Sequence, residues 1–133
     1  MSIPRDIVVM AWDTGFYRPD SLVEDGYHII NACYQPLYVV GNAASPRWAQ
    51  SYIYGWNMFR WEHYLSFRPA FRPIQLPAGA PVLGAVMCSW EQKEAAEIPS
   101  LRERLPAMSE RLWNPEANRP MSDFFWRFVH TDR

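Results

Sequence analysis

Lysine is almost missing from this chain of 133 residues: twelve arginines and the single Lys93 face fourteen acids, for a formal net charge of −1. No basic run occurs, so the electrostatic footprint expected for nucleic acid or an anionic membrane surface is lacking, and neither is expected as a partner. Cysteine is scarce too. Cys33 and Cys88 each lie beside a predicted strand, which argues against a disulfide framework and predicts two buried free thiols; the redox compartment, and with it the localisation, stays open. No stretch approaches the roughly 18 apolar residues of a membrane span. The apolar run in MSIPRDIVVM is too short for a signal peptide. No glycine-rich phosphate loop, internal repeat or low-complexity segment is present. His28, His63 and His130 are widely separated and lack metal-ligand spacing, so surface or packing roles are expected for them, with no metal or other cofactor.

What the chain has in quantity is aromatic residues, 16% of the total with seven each of Trp, Tyr and Phe. With 49% hydrophobic and 20% charged residues, the composition is globular and the length suits one unit, residues 1–133. Aromatic rings build cores, and their flat apolar faces also suit the C–H-rich faces of sugars.

Along the chain, IVVMAW (7–12) is a β-rich apolar run that predicts a strand buried on both faces of a parallel sheet. Residues 19–25 predict a short helix with Pro19 at its start and Gly26 as terminator, and YHIINA (27–32) a second strand. A third run, residues 82–89, leads into sequence where Ile98, Leu101, Leu105, Met108 and Leu112 recur at helical spacing. Pro106 predicts a kink or a fresh helical start there. SDFFWRFVH (122–130) predicts a last short helix capped by Ser122. Between the second and third strands runs an aromatic-rich excursion, residues 33–81, too long for an ordinary connection. Within it Trp48, Tyr52 and Trp56, spaced by four, predict one helical face that packs the excursion onto the sheet, and four prolines between residues 67 and 81 predict an extended crossing. Strands alternating with helices point to α/β architecture with a parallel sheet.

In such architectures functional side chains project from the C-terminal ends of strands. The predicted ends carry Trp12 with Asp13, then Tyr38, then Trp90 with Glu91 and Gln92. Four motifs in order resemble one enzyme family: a strand ending in Trp (VVMAW), a GYHII strand leading to PLY, a VLG strand ending in Trp90, and the MSERLW helix. The chain is similar in these to glycoside hydrolase family 20, the β-N-acetylhexosaminidases. The resemblance implies the last three strand–helix units of a (β/α)8 TIM barrel. It further implies substrate-assisted hydrolysis of terminal N-acetylhexosamine residues, in which the 2-acetamido carbonyl attacks the anomeric carbon. By the same resemblance Trp12 and Trp90 would wall the acetamido pocket, and Tyr38 would act in catalysis by donating its hydroxyl to the acetamido oxygen.

The family's catalytic Asp-Glu pair has no counterpart, since no Asp-Glu dipeptide occurs in the sequence. The chain alone is therefore expected to be inactive. Val40 stands where the family commonly has a sugar-binding Asp, and Gln92 where it commonly has a Glu. Strand alternation would put Gln92 on Trp90's face, offering a sugar hydroxyl a partner without charge assistance. A strand ending before residue 90 would instead let Glu91 swing inward. Glu110 and Arg111 in SERLW are expected on an outer helix, in packing or an ion pair. The alternative reading is a non-catalytic carbohydrate-binding or assembly module derived from the barrel. Either way the exposed inner strand faces predict self-association or binding to the rest of a barrel, with an N-acetylhexosamine glycan as ligand.

Overall fold

The computed structural model describes residues 3–40, 49–62, 72–116 and 118–131. The first apolar run becomes β1 (Val8–Ala11), followed by helix α1 (Pro19–Glu24) and strand β2 (His28–Asn31). Pro19 starts α1 where a missing N–H costs nothing. Its end is closed by two backbone bonds, from Tyr27 N to Leu22 O at 3.0 Å and from Gly26 N to Val23 O at 2.9 Å, with Gly26 at φ 89°. This left-handed terminator is the one a glycine after a helix supplies without a Cβ clash. The chain then makes an irregular helical turn, α2 (Tyr34–Leu37), around a cis Gln35–Pro36 peptide and enters β3 (Tyr38–Val40). The excursion contributes helix α3 (Gln50–Tyr54) and a short antiparallel pair, β4 (Arg60–Trp61) with β5 (Ile74–Gln75). Strands β6 (Val82–Ala85) and β7 (Cys88–Trp90) follow, then helices α4 (Glu94–Arg102), α5 (Arg104–Trp113) and α6 (Met121–Thr131).

The fold is mixed α/β with parallel strands. β1, β2 and β6 form one parallel sheet in chain order, with Val8 opposite His28, Ala11 opposite Asn31, and Asn31 opposite Ala85. β3 and β7 repeat the β2–β6 pairing further along, with Tyr38 opposite Cys88 and Val40 opposite Trp90. The described strands do not close into a barrel.

Several expectations from sequence are corrected. β1 is buried on one face only: Val9 and Ala11 align with Ile29 and Asn31 beneath the excursion, while Val8 and Met10 stay exposed on the other face. The single strand expected over residues 82–89 is two: β6 pairs with β2 as far as Ala85, with Val86 N still donating to Asn31 O at 2.9 Å, and β7 pairs with β3 from Cys88. The helical break falls at Glu103 rather than Pro106, which sits in the first turn of α5 where proline is tolerated. Ile98 and Leu105 are exposed and α4 buries no residue, so the core-facing stripe belongs to α5, with Ala107 and Met108 buried and Leu112 partly buried against the core. Ser122 lies inside α6 rather than capping it. Trp56 is buried but lies beyond the end of α3, so it does not continue a helical face from Tyr52. Trp48, His63 and the start of the proline-rich crossing lie outside the described residues. Cys33 is buried as expected, Cys88 only partly, and both are free.

One core joins these elements, running from Leu22, Ile29 and Leu37 through Ile53, Trp56 and Trp61 to Met108 and Phe124. The excursion is pinned to the sheet by polar contacts inside that core. Asn31, fully buried, donates through Nδ2 to Met58 O at 2.9 Å and to Arg60 O at 3.0 Å, and its Oδ1 accepts from Cys33 N at 2.9 Å. Trp61, also fully buried, donates from Nε1 to Ala11 O at 2.9 Å. Each buried polar group stranded by a substitution costs about 1–3 kcal/mol. Asn31→Leu, which strands Met58 O and Cys33 N but leaves Arg60 O its bond from Trp56 Nε1 at 3.1 Å, is expected to lower unfolding free energy by about 2 kcal/mol or more in urea titration. A loss below about 1 kcal/mol would mean these groups find other partners.

Candidate functional site

The ends of neighbouring parallel strands bring Trp12 and Tyr38 together and place Trp90 on Tyr38's face of the adjoining strand pair. Trp12 follows β1 directly, Tyr38 opens β3 beyond β2, and Trp90 closes β7 beyond β6. The rings of Trp12 and Tyr38 are 6.2 Å apart between centroids at 48°. Trp90 pairs in register with Val40, two positions along from the Tyr38–Cys88 pair, which puts it on Tyr38's face of that strand pair. Trp12 is 37% and Trp90 56% exposed, so apolar ring surface remains open at this end of the sheet.

Two further rings extend the cluster. Tyr34 lies 5.2 Å from Tyr38 at 32°, and Phe16 stacks on Trp12 at 5.7 Å and 23°. Sequence reasoning missed both. Phe16 was detectable as an aromatic four residues past a strand-end Trp, in a strand-to-helix loop of the kind that carries function. Tyr34 gave no comparable signal, because the irregular turn that folds it back toward Tyr38 has no simple periodicity.

The turn bearing Tyr34 and Tyr38 is held from beneath. Cys33 Sγ donates to Gln35 O at 3.0 Å, and Gln35 Nε2 donates to Tyr52 Oη at 3.0 Å. Tyr52 Oη in turn donates to Glu62 Oε2 at 2.5 Å, and Arg60 Nε pairs with Glu62 Oε1 at 3.1 Å. This chain of bonds ties the excursion's β4 to the segment just before Tyr38.

Burial, then the Cys88 thiol facing it and Cys33 beyond, push the Tyr38 hydroxyl up from 10.0 to about 12. The phenol therefore keeps its proton at neutral pH and remains a hydrogen-bond donor. Burial and the Glu62 carboxylate likewise push Tyr52 up to about 12.

The residues after Trp90 depart from simple alternation. Glu91 has φ 57°, a left-handed conformation that ends the strand, and it is exposed. Gln92 is therefore not carried onto Trp90's face by the pleat; its Nε2 donates to Ser89 Oγ at 2.7 Å, and Ser89 alternates with Trp90 in β7. Asp13 accepts from Gly15 N at 2.8 Å and shapes the loop after β1.

Elsewhere, α5 and α6 are joined by a two-pronged ion pair. Arg127 Nη1 and Nη2 bond Glu110 Oε2 and Oε1 at 3.0 and 2.9 Å, and the guanidinium holds the Glu110 carboxyl below its usual range. Arg111 donates to Trp56 O at 3.1 Å and to Pro115 O at 2.8 Å, tying α5 to the excursion. Both residues thus have the packing and ion-pair roles expected from sequence. A groove of about 380 Å³ runs beside Glu110, Trp113, Phe124 and Arg127. Its carboxylate and guanidinium satisfy each other and it lies on helices, away from the three strand ends, so it is not the candidate site.

Among the described residues no group of three or more His, Cys, Asp or Glu side chains is placed to hold a metal ion. His28 is exposed, and His130 stacks on Trp126 at 4.4 Å. No described helix is long and apolar enough to cross a membrane.

The raised Tyr38 value carries a sign for stability. The fold favours the protonated phenol, so its contribution is complete below pH 10 and is lost as pH rises through about 12. In alkaline titration followed by tyrosinate absorbance, Tyr38→Phe is expected to remove one of the late-titrating tyrosines and to flatten the loss of stability over that window. Identical curves for variant and parent would rule out this environment for Tyr38.

No family model matches the chain, and no curated protein matches it either.

Proposed function

We propose that this chain is the C-terminal part of a β-N-acetylhexosaminidase of the glycoside hydrolase family 20 type, supplying walls of the acetamido pocket without the general acid. The observation that carries the reading is the meeting of Trp12, just after β1, with Tyr38, beyond β2, and the place of Trp90 on Tyr38's face of the β3–β7 pair. Their motifs occur in the order that the family resemblance implies. The strand order is in keeping with three successive units of a (β/α)8 barrel, because each strand lies beside its predecessor as in a singly wound barrel.

In this reading the substrate's 2-acetamido group lies between the rings of Trp12 and Trp90. As its carbonyl oxygen attacks the anomeric carbon, positive charge spreads over the forming oxazoline ring. Indole faces accommodate such a flat, partly cationic ring through both apolar contact and their quadrupole. Tyr38 Oη is a neutral donor that holds the acetamido oxygen in line, a contact positioned before the reaction rather than recruited during it. Protonation of the leaving oxygen requires a carboxylic acid from outside the residues that build this cluster. Sugar hydroxyls meet a weaker polar set than the family provides, with Val40 in place of an Asp and Gln92 turned to Ser89.

The exposed side chains of Val8, Met10 and Leu83 on the strands leading to this site are the surface that further barrel strands would cover. Self-association of the isolated chain is the expected consequence in light scattering, and a stable monomer would count against it.

The direct test is titration of the chain's tryptophan fluorescence with N-acetylglucosamine-thiazoline, a mimic of the cyclised intermediate. A saturable change is expected. Tyr38→Phe should weaken it by about tenfold or less, the worth of one hydrogen bond, and Trp90→Ala should abolish it. No response from the parent chain would remove the support for a preformed half-site. Turnover of a chromogenic N-acetylglucosaminide that tracks the purified protein would contradict the absence of a general acid.

A further inference from the structure

The segment that carries Tyr38 into β3 does not hold its own shape. Inside α2 the backbone leaves helical geometry at Gln35 (φ −110°, ψ 115°) and Pro36 (φ −106°, ψ 21°), and a bond from Tyr38 N to Tyr34 O spans the irregular stretch. A regular helix would fix its end through successive bonds from each N–H to the carbonyl four residues back. Here the turn depends on what neighbouring segments bond to it. Because β3 begins at Tyr38, pairing with Cys88 fixes the chain from that residue onward and leaves the side before it to other contacts.

Gln35, buried within the turn, is where the excursion takes hold. Its backbone bridges antiparallel to Glu62, and its side chain reaches the same residue by way of Tyr52. Gln35 Nε2 donates to Tyr52 Oη at 3.0 Å, and Tyr52 Oη donates to Glu62 Oε2 at 2.5 Å. A phenol has one proton. With that proton given to the carboxylate, the lone pairs of the oxygen are left for the amide, so the order of donors along the chain runs in one sense only. Arg60 Nε pairs with the other oxygen of Glu62 at 3.1 Å, which engages both ends of the carboxylate that closes the chain.

Gln35 lies three residues before Tyr38, and the turn between them presents Tyr34 and Tyr38 together with ring centroids 5.2 Å apart. A displacement of this turn by roughly 1 Å is enough to take the Tyr38 hydroxyl out of hydrogen-bond range of a fixed acceptor. We propose that Tyr52 is a positioning residue for Tyr38: its hydroxyl, held by Glu62, grips Gln35 and so sets where the Tyr38 hydroxyl meets the acetamido oxygen of a ligand. This rests on the acetamido-pocket reading of Trp12, Tyr38 and Trp90. Tyr52 acts through the turn rather than on the ligand.

The test is a double-mutant cycle on the whole chain, read as affinity for N-acetylglucosamine-thiazoline by tryptophan fluorescence in the parent, Tyr52→Phe, Tyr38→Phe and the double variant. Tyr52→Phe keeps the ring and removes only the hydroxyl. It is expected to weaken binding roughly threefold in the parent, a part of what the Tyr38 hydrogen bond supplies, and to have no further effect once the Tyr38 hydroxyl is gone. Gln35→Met, which keeps the length of the side chain without its amide, should show the same coupling to Tyr38, and it carries the test if circular dichroism finds Tyr52→Phe unfolded. Losses that simply multiply in the double variant would mean that Tyr52 supports the fold without acting through Tyr38. That result overturns the positioning role and leaves the pocket reading intact, as does full parental affinity in a folded Tyr52→Phe. A parent chain that does not bind the thiazoline overturns both.

Discussion

The carboxamide of Asn31 is the contact on which the rest of this structure depends. It sits at the C-terminal end of the central strand of the three-stranded sheet, fully buried, and its donor and acceptor atoms reach two different parts of the chain. Through Nδ2 it holds the backbone of the excursion at Met58 and Arg60, and through Oδ1 it holds Cys33 N, where β2 gives way to the turn leading to Tyr38. A hydrophobic residue could fill that volume but could not bond Met58 O, Arg60 O and Cys33 N. The cost of leaving such groups bare in a low-dielectric interior fixes where the excursion lies. Trp61 adds a second tie to Ala11 O, the residue just before Trp12. Trp12 thus follows a strand end, Ala11, that the excursion holds through Trp61, and Tyr38 follows a turn that starts from a strand end, Asn31, bonded to the same excursion.

From this follows the asymmetry of the sheet. Register puts Val9, Ala11, Ile29 and Asn31 on one face, and that face is closed by the excursion. The opposite face, with Val8 and Met10, carries on to Trp12 by the alternation of side chains along the strand. The open face and the aromatic cluster are therefore the same side of the sheet. A ligand at the strand ends and any further strand packed against the sheet would approach that shared side together.

The sequence made the existence and order of the main parallel strands and of α1 legible because each carries strong local information: β-branched runs of strand length, and a Pro at the start and Gly at the end of a six-residue helix. It also located Trp12, Tyr38 and Trp90 near strand ends. What it concealed was mostly non-local. Whether β1 is buried on one face or two depends on what packs against it, and an apolar run reads the same either way. The β4–β5 pair has only two residues a side, too short for any periodicity. Trp48, Tyr52 and Trp56 share a spacing of four, yet Gly55 ends α3 and Trp56 reaches the core from outside the helix. The expectation for Gln92 failed locally instead: alternation presumes extended backbone, and a left-handed Glu91 breaks it immediately after Trp90.

The polar chemistry at this end of the sheet is arranged around keeping neutral donors in place rather than providing a charge. Tyr38 is half-buried with the Cys88 thiol facing it, and burial pushes its hydroxyl up to about 12. Glu62, the carboxylate most closely tied to this turn, accepts from Tyr52 and pairs with Arg60, so its charge is already matched. Asp13 is occupied in shaping the loop that carries Phe16. A site composed of aromatic faces with one held phenol can orient an uncharged, hydroxyl-rich ligand, because stacking needs only area and a neutral donor needs only aim. With its hydroxyl pushed up to about 12 by burial and the neighbouring thiols, Tyr38 is a neutral hydrogen-bond donor at neutral pH.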